Sequence, residues 1–143
     1  MSENSKKMTN LRQIARPQVV VLAYDGLCTF EFGVAVEIFG LPRPELGDEW
    51  YRFAVASVDS GELRATGGIR IVTDGDLSLL ASADLIVVPG WRGIDSPVPD
   101  ALCEALRQAS ARECQLLSIC SGVFVLAATG LLNGRKATTH WRY

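Results

Sequence analysis

Residues 18–24, QVVVLAY, form an unbroken apolar run rich in β-branched side chains, and Asp25-Gly26 breaks it. A run without polar alternation fits a strand covered on both faces, as in a parallel sheet. In TFEFGVAVEIFG, Phe30, Val34 and Ile38 recur at helical spacing before Gly40 and Pro42, which predicts a helix over about 29–39. YRFAVASV (51–58) reads as a second strand. ELRAT and IRIVTD, on either side of Gly67-Gly68, read as a small hairpin or a bent strand. DLSLLASA is a short helix, and DLIVVPG (84–90) a further buried strand closed by Pro89-Gly90. Beyond Pro97 and Pro99, DALCEALRQASARE (100–113) puts Leu102, Leu106 and Ala109 on one face of an amphipathic helix. QLLSI (115–119) predicts another strand and residues 122–129 a helix with Gly130 as its C-terminal cap. RKATTH (135–140) is expected to add one more strand.

Strands alternating with helices imply right-handed βαβ crossovers. The expected fold is α/β, a doubly wound, mostly parallel, flavodoxin-like sheet with helices on both faces. Residues 1–17 are polar and read as a flexible N-terminal tail, leaving 18–143 as one domain. A length of 143 residues, 48% hydrophobic and 21% charged, suits one core and leaves no room for two. At His140-Trp141-Arg142-Tyr143 a further helix is starting, so the domain is expected to be incomplete at its C-terminus, a piece of a longer protein.

The formal net charge is −2 and the basic residues are scattered, which argues against DNA binding by this segment itself. Leu116 to Leu132 carries no charge. It falls short of the roughly 20 residues that span a bilayer, and Ser-Gly interrupts its centre, so no membrane association is expected. The four cysteines, Cys28, Cys103, Cys114 and Cys120, form no CxxC pair, and His140 is the one histidine. No metal site and no cofactor are therefore expected. The N-terminus lacks the apolar core of a signal peptide, which points to a cytoplasmic protein with reduced thiols.

Within that uncharged run stands Cys120, directly after a predicted strand and before a predicted helix, in the sequence ICSG. Such a residue sits at the carboxyl edge of the sheet, where α/β folds place ligands. Unpaired N–H groups at the helix start are expected to lower its pKa. The pattern parallels the strained nucleophile turn of hydrolases, with the Ser121 N–H placed to help hold an oxyanion. A small core cysteine fits the four residues equally well. Three other strand ends point to the same rim. Glu31 opens the first helix, Gly90-Trp91 follows the strand 84–90, and His140 closes the predicted strand 135–140. The ordinary roles of these residues are a helix N-terminal acid, an aromatic cover and a surface or supporting histidine.

AYDGLCTFEFGVAVEIFGLPRPE, VVPGWRGID, SICSGVFVLAATGLLNGR and ATTHW together resemble the PfpI-like, cysteine-elbow α/β superfamily related to class I glutamine amidotransferases. Within it they are most similar to the N-terminal domain of AraC-type transcriptional regulators of the GlxA/FtrA kind. The likeness covers roughly residues 18–143. It implies that Cys120 is the elbow cysteine, that Glu31 is the acid approaching its sulfur, and that His140 is the histidine near the site. It also implies a homodimer, a small-molecule effector, and DNA contact only through a C-terminal helix-turn-helix region outside this chain. Two departures stand out. Proteases of the superfamily have His after the cysteine, where this chain has Ser121. Many relatives have Gly-Gly after the strand-ending proline, where this chain has Gly90-Trp91.

Three functions follow. The first is a ligand-sensing, dimerising regulator domain that works by biasing dimer geometry. The second is a cysteine enzyme with hydratase, amidase or glyoxalase-like activity. In it Cys120 is the nucleophile, Glu31 shares its proton, and the N–H groups of Ser121 and of Gly90 or Trp91 hold the oxyanion. Stand-alone relatives such as isonitrile hydratase, with Cys-Thr at the elbow and an acid at the Glu31 position, resemble this arrangement. The third is a redox sensor in which Cys120 oxidises first.

Overall fold

A computed structural model of the chain describes residues 16–143, so most of the segment read as a tail lies outside the described residues. Strands β1 (Gln18–Ala23) and β2 (Arg52–Ser57) are followed by a hairpin of β3 (Leu63–Arg64) and β4 (Arg70–Ile71), then β5 (Leu85–Pro89) and β6 (Gln115–Ile119). The main sheet has the order β2-β1-β5-β6, and all its pairings are parallel. The helices are α1 (Thr29–Ala35), α2 (Asp100–Ala111) and α3 (Val123–Ala128). This is the doubly wound, flavodoxin-like architecture expected from the alternation of apolar runs.

The unbroken apolar runs have a simple cause: alternate residues of each central strand enter two different cores. Val20, Ala54, Ile86 and Leu116 lie in one row across the sheet. With Leu22 and Val88 they pack against Leu102, Leu106 and Ala109 of α2, Val125 and Leu126 of α3, and Leu80 of a 3-10 turn, Leu77–Ser82. Val19, Val21, Leu85 and Val87 face the other way, onto Phe32 and Ala35 of α1 and onto Phe39 and Phe53. Each fully buried aliphatic side chain contributes on the order of 1.5–3 kcal/mol of transfer free energy. The α2 face predicted from Leu102, Leu106 and Ala109 is the buried one.

Several expected boundaries change. Helix α2 stops at Ala111 because Glu113 turns into the left-handed region, with φ of 66°, to feed β6. Helix α1 loosens at Val36–Gly40 into a π-helical turn. Its apolar spacing hides a reversal: Phe32 and Ala35 pack on the sheet, while Phe30 is 79% and Ile38 48% exposed. The largest correction concerns RKATTH. Residues 135–140 form no strand; they cross the end of the sheet as irregular chain. Thr139 makes its bond through its hydroxyl, to the Cys120 carbonyl, instead of through a backbone ladder. No helix among the described residues is long and apolar enough to cross a membrane.

Candidate functional site

Strand β6 ends at Ile119, and Cys120–Gly122 turn at once through a single 3-10 turn into α3. Cys120 has φ of 54°. The left-handed region costs a residue with a Cβ about 1–2 kcal/mol, so the surrounding packing must hold it there. Gly122 is part of that packing: a Cβ at this position would stand 2.2 Å from the Val88 carbonyl oxygen. The Gly90 N–H, at the end of β5, donates to the Ile119 carbonyl at 3.0 Å and binds the elbow to the neighbouring strand. Thr139 adds a hydrogen bond of 2.7 Å from its hydroxyl to the Cys120 carbonyl.

The loop between β1 and α1 supplies the other wall. It is clamped by the hairpin: Gly26 N–H donates to Arg64 C=O at 2.8 Å, and Thr66 N–H to Leu27 C=O at 2.9 Å. Tyr24, fully buried, donates its hydroxyl to the Pro89 carbonyl at 2.8 Å and accepts from the Cys28 N–H at 3.4 Å. Burial drives its phenol far above the ordinary range. Cys28 caps the start of α1 and Glu31 stands in its first turn, and both act on the Cys120 thiol.

The electrostatics of Cys120 run against the expectation of a lowered pKa. Burial pushes its thiol up. The Ser121 N–H pulls it down, but hydrogen bonding to Glu31 and the charges of Glu31 and Cys28 add to the rise. The first turn is a tight 3-10 turn and α3 has six residues, so one N–H faces the sulfur rather than a full set of helix-start donors.

Glu31, Cys120 and Ser121 come together at the end of β6. Gly90 and Trp91 are beside them, but their N–H groups are occupied. Gly90 N–H is held by Ile119 as above. Trp91 N–H donates to the Ser121 hydroxyl at 2.9 Å, which lies 3.3 Å from the Trp91 carbonyl and donates there. The expected second oxyanion donor at Gly90 or Trp91 is therefore not free, because these amides tie β5 to the elbow. The Trp91 indole does not fill the site either. It is buried against Tyr24, with ring centroids 4.9 Å apart, and Arg92 covers it from outside at 4.4 Å while pairing with Asp59 at 2.9 Å. The indole serves as cover for the core, the ordinary role weighed for it from sequence.

His140 is not at a strand end. Its Nδ1 accepts from the Arg142 N–H at 3.3 Å, and its ring packs with Trp141 and Tyr143, the latter in turn on Phe124. The backbone thus passes the elbow through Thr139, while the imidazole joins a C-terminal aromatic cluster. Cys28, Tyr24 and Thr139 were not singled out from sequence. The i, i+3 spacing of Cys28 and Glu31 was a usable signal for the first. No group of metal-binding residues occurs among those described. Two hollows lie elsewhere, of about 450 Å³ on the outer face of α1 and about 520 Å³ beside Trp50, and neither is lined by Cys120 or Glu31.

Residues 17–143 match the DJ-1/PfpI family description. The chain belongs to the DJ-1/PfpI family. As a DJ-1/PfpI domain it is 35% identical over 127 residues to an uncharacterised Streptomyces lividans protein from the cpoL 5′ region, covering 88% of this chain and 89% of that one. It is 40% identical over 92 residues to the HTH-type transcriptional regulator CdhR of Pseudomonas aeruginosa, covering 64% of this chain and 27% of the regulator. It is 41% identical over 61 residues to isonitrile hydratase of Pseudomonas putida, covering 42% of this chain and 27% of the enzyme. An AraC family transcriptional regulator structure from Pseudomonas putida superposes with a TM-score of 0.70 at 22% identity, over 88% of this chain and 68% of that one, a likeness of fold. The chain thus spans about a quarter of the length of CdhR.

Proposed function

We propose that this DJ-1/PfpI domain is the sensing, dimerising part of a transcriptional regulator, and that a small-molecule effector binds at the rim formed by Cys120, Glu31 and Ser121. Gly90 and Trp91 support the rim from behind, and His140 stands in the segment that borders it. The carrying observation is the state of the elbow amides. An acyl-transfer catalyst needs preorganised donors aimed at a developing oxyanion, whereas Gly90 and Trp91 donate to Ile119 and Ser121. The kinship with HTH-type regulators supports the same reading. In it, DNA is read by a helix-turn-helix region outside these residues, the protein works in the cytoplasm, and exposed Phe30 and Ile38, with half-buried Val34 between them along α1 and the turn after it, support a homodimer. The test is promoter-fragment binding by the gene's complete product across a panel of small metabolites. The expected result is a metabolite-dependent change in affinity. A complete product without a DNA-binding region overturns the proposal.

The left-handed elbow at Cys120 and the match to isonitrile hydratase favour a second reading, a cysteine hydratase or amidase. Turnover of isonitriles, amides and α-oxoaldehydes by wild type and Cys120→Ser separates the two. Activity lost in the variant favours the enzyme, and equal rates in both remove it.

A further inference from the structure

Of the four cysteines, Cys103 and Cys114 are buried, whereas Cys28 and Cys120 are both partly exposed. Both adjoin the Gly90 backbone, Cys28 directly and Cys120 through its neighbour Ile119. Cys28 Sγ lies 2.7 Å from the place where a side chain on residue 90 would put its Cβ. The Gly90 N–H is held by Ile119, the residue bonded to Cys120. Cys28 Sγ also comes within 3.6 Å of the Trp91 carbonyl oxygen, the atom that the Ser121 hydroxyl reaches at 3.3 Å. With no side chain at Gly90, Cys28 Sγ packs directly against the backbone that is hydrogen-bonded to the elbow at Ile119. The charge of Cys28 also acts on the Cys120 thiol.

We infer that Cys28 is the resolving partner of Cys120, and that a hydroperoxide converts the pair into a disulfide across Gly90. The step balances with the peroxide as oxidant. One sulfur takes an oxygen atom from the hydroperoxide, which leaves as water or an alcohol, and becomes a sulfenic acid. The other thiol then forms the S–S bond, and its proton departs with the sulfenic oxygen as water. The bond would tether the start of α1 to the start of α3 and close the rim, so it regulates the site proposed above and rests on that reading. Its readout is the thiols themselves, independent of effector or DNA, so the two proposals fail separately.

The experiment treats the reduced protein with one equivalent of hydrogen peroxide and maps it without reduction. The expected outcome is a mass loss of about 2 Da, a linked peptide pair containing Cys28 and Cys120, and two thiols still open to alkylation after denaturation. Cys28→Ser, which keeps the elbow intact, should instead collect oxygen on Cys120. Overturning results are Cys120 gaining about 16 or 32 Da in the wild type while Cys28 stays free, or the same products in wild type and Cys28→Ser.

Discussion

At Cys120 the backbone and the electrostatics make separate contributions. The left-handed turn delivers the sulfur to the sheet edge, while burial and Glu31 raise the pKa of its thiol. The rise in pKa implies that the pH midpoint for alkylation of Cys120 by iodoacetamide lies above the ~8.5 of an ordinary thiol. Replacing the carboxylate by an amide removes a negative charge that disfavours the thiolate. Glu31→Gln should therefore move that midpoint down, and an unchanged midpoint would separate Glu31 from the sulfur. Cys120, Ser121 and Glu31 were legible in the sequence because each follows a recognisable apolar run. The sign of the pKa shift was not. It depends on how many N–H groups reach the sulfur and how deeply it is buried, and only folded geometry sets these. The pair of hydrogen bonds between Ser121 and Trp91 was hidden for the same reason: the partners lie 30 residues apart.

Among the elements, the β6–α3 elbow carries the tightest steric demand. Gly122→Ala would bring a methyl group against the Val88 carbonyl, so the turn must move away from β5. A loss of about 1–3 kcal/mol in urea denaturation is expected, as for overpacked interiors. An unchanged midpoint and slope would show that the elbow is not held by this contact. Strands β1 and β5 were readable because both faces of each are covered, which removes polar alternation from the sequence; β6 is equally apolar although Leu117 stands exposed. RKATTH misled because threonine favours strands only where a ladder and a packed face await it. Here the hydroxyl of Thr139 takes the Cys120 carbonyl instead. Helix α1 misled differently. It carries two apolar stripes, and spacing alone does not say whether Phe30 and Ile38 or Phe32 and Ala35 meet the sheet.

For the whole molecule, the exposed α1 stripe and the elbow belong to one proposal, in which ligand occupancy at the rim changes how two copies meet. Phe30→Glu places a charge on that stripe, and sedimentation should then show a shift from dimer toward monomer with the fold retained. An oligomeric state unaffected by the substitution would move the interface elsewhere. The central claim is that effectors bind beside Cys120. Its most direct test is calorimetric titration of a metabolite that alters promoter affinity, into the domain before and after carbamidomethylation of Cys120. The account predicts at least a tenfold weaker affinity in the alkylated protein, about 1.4 kcal/mol. Equal affinity in the two forms would contradict it.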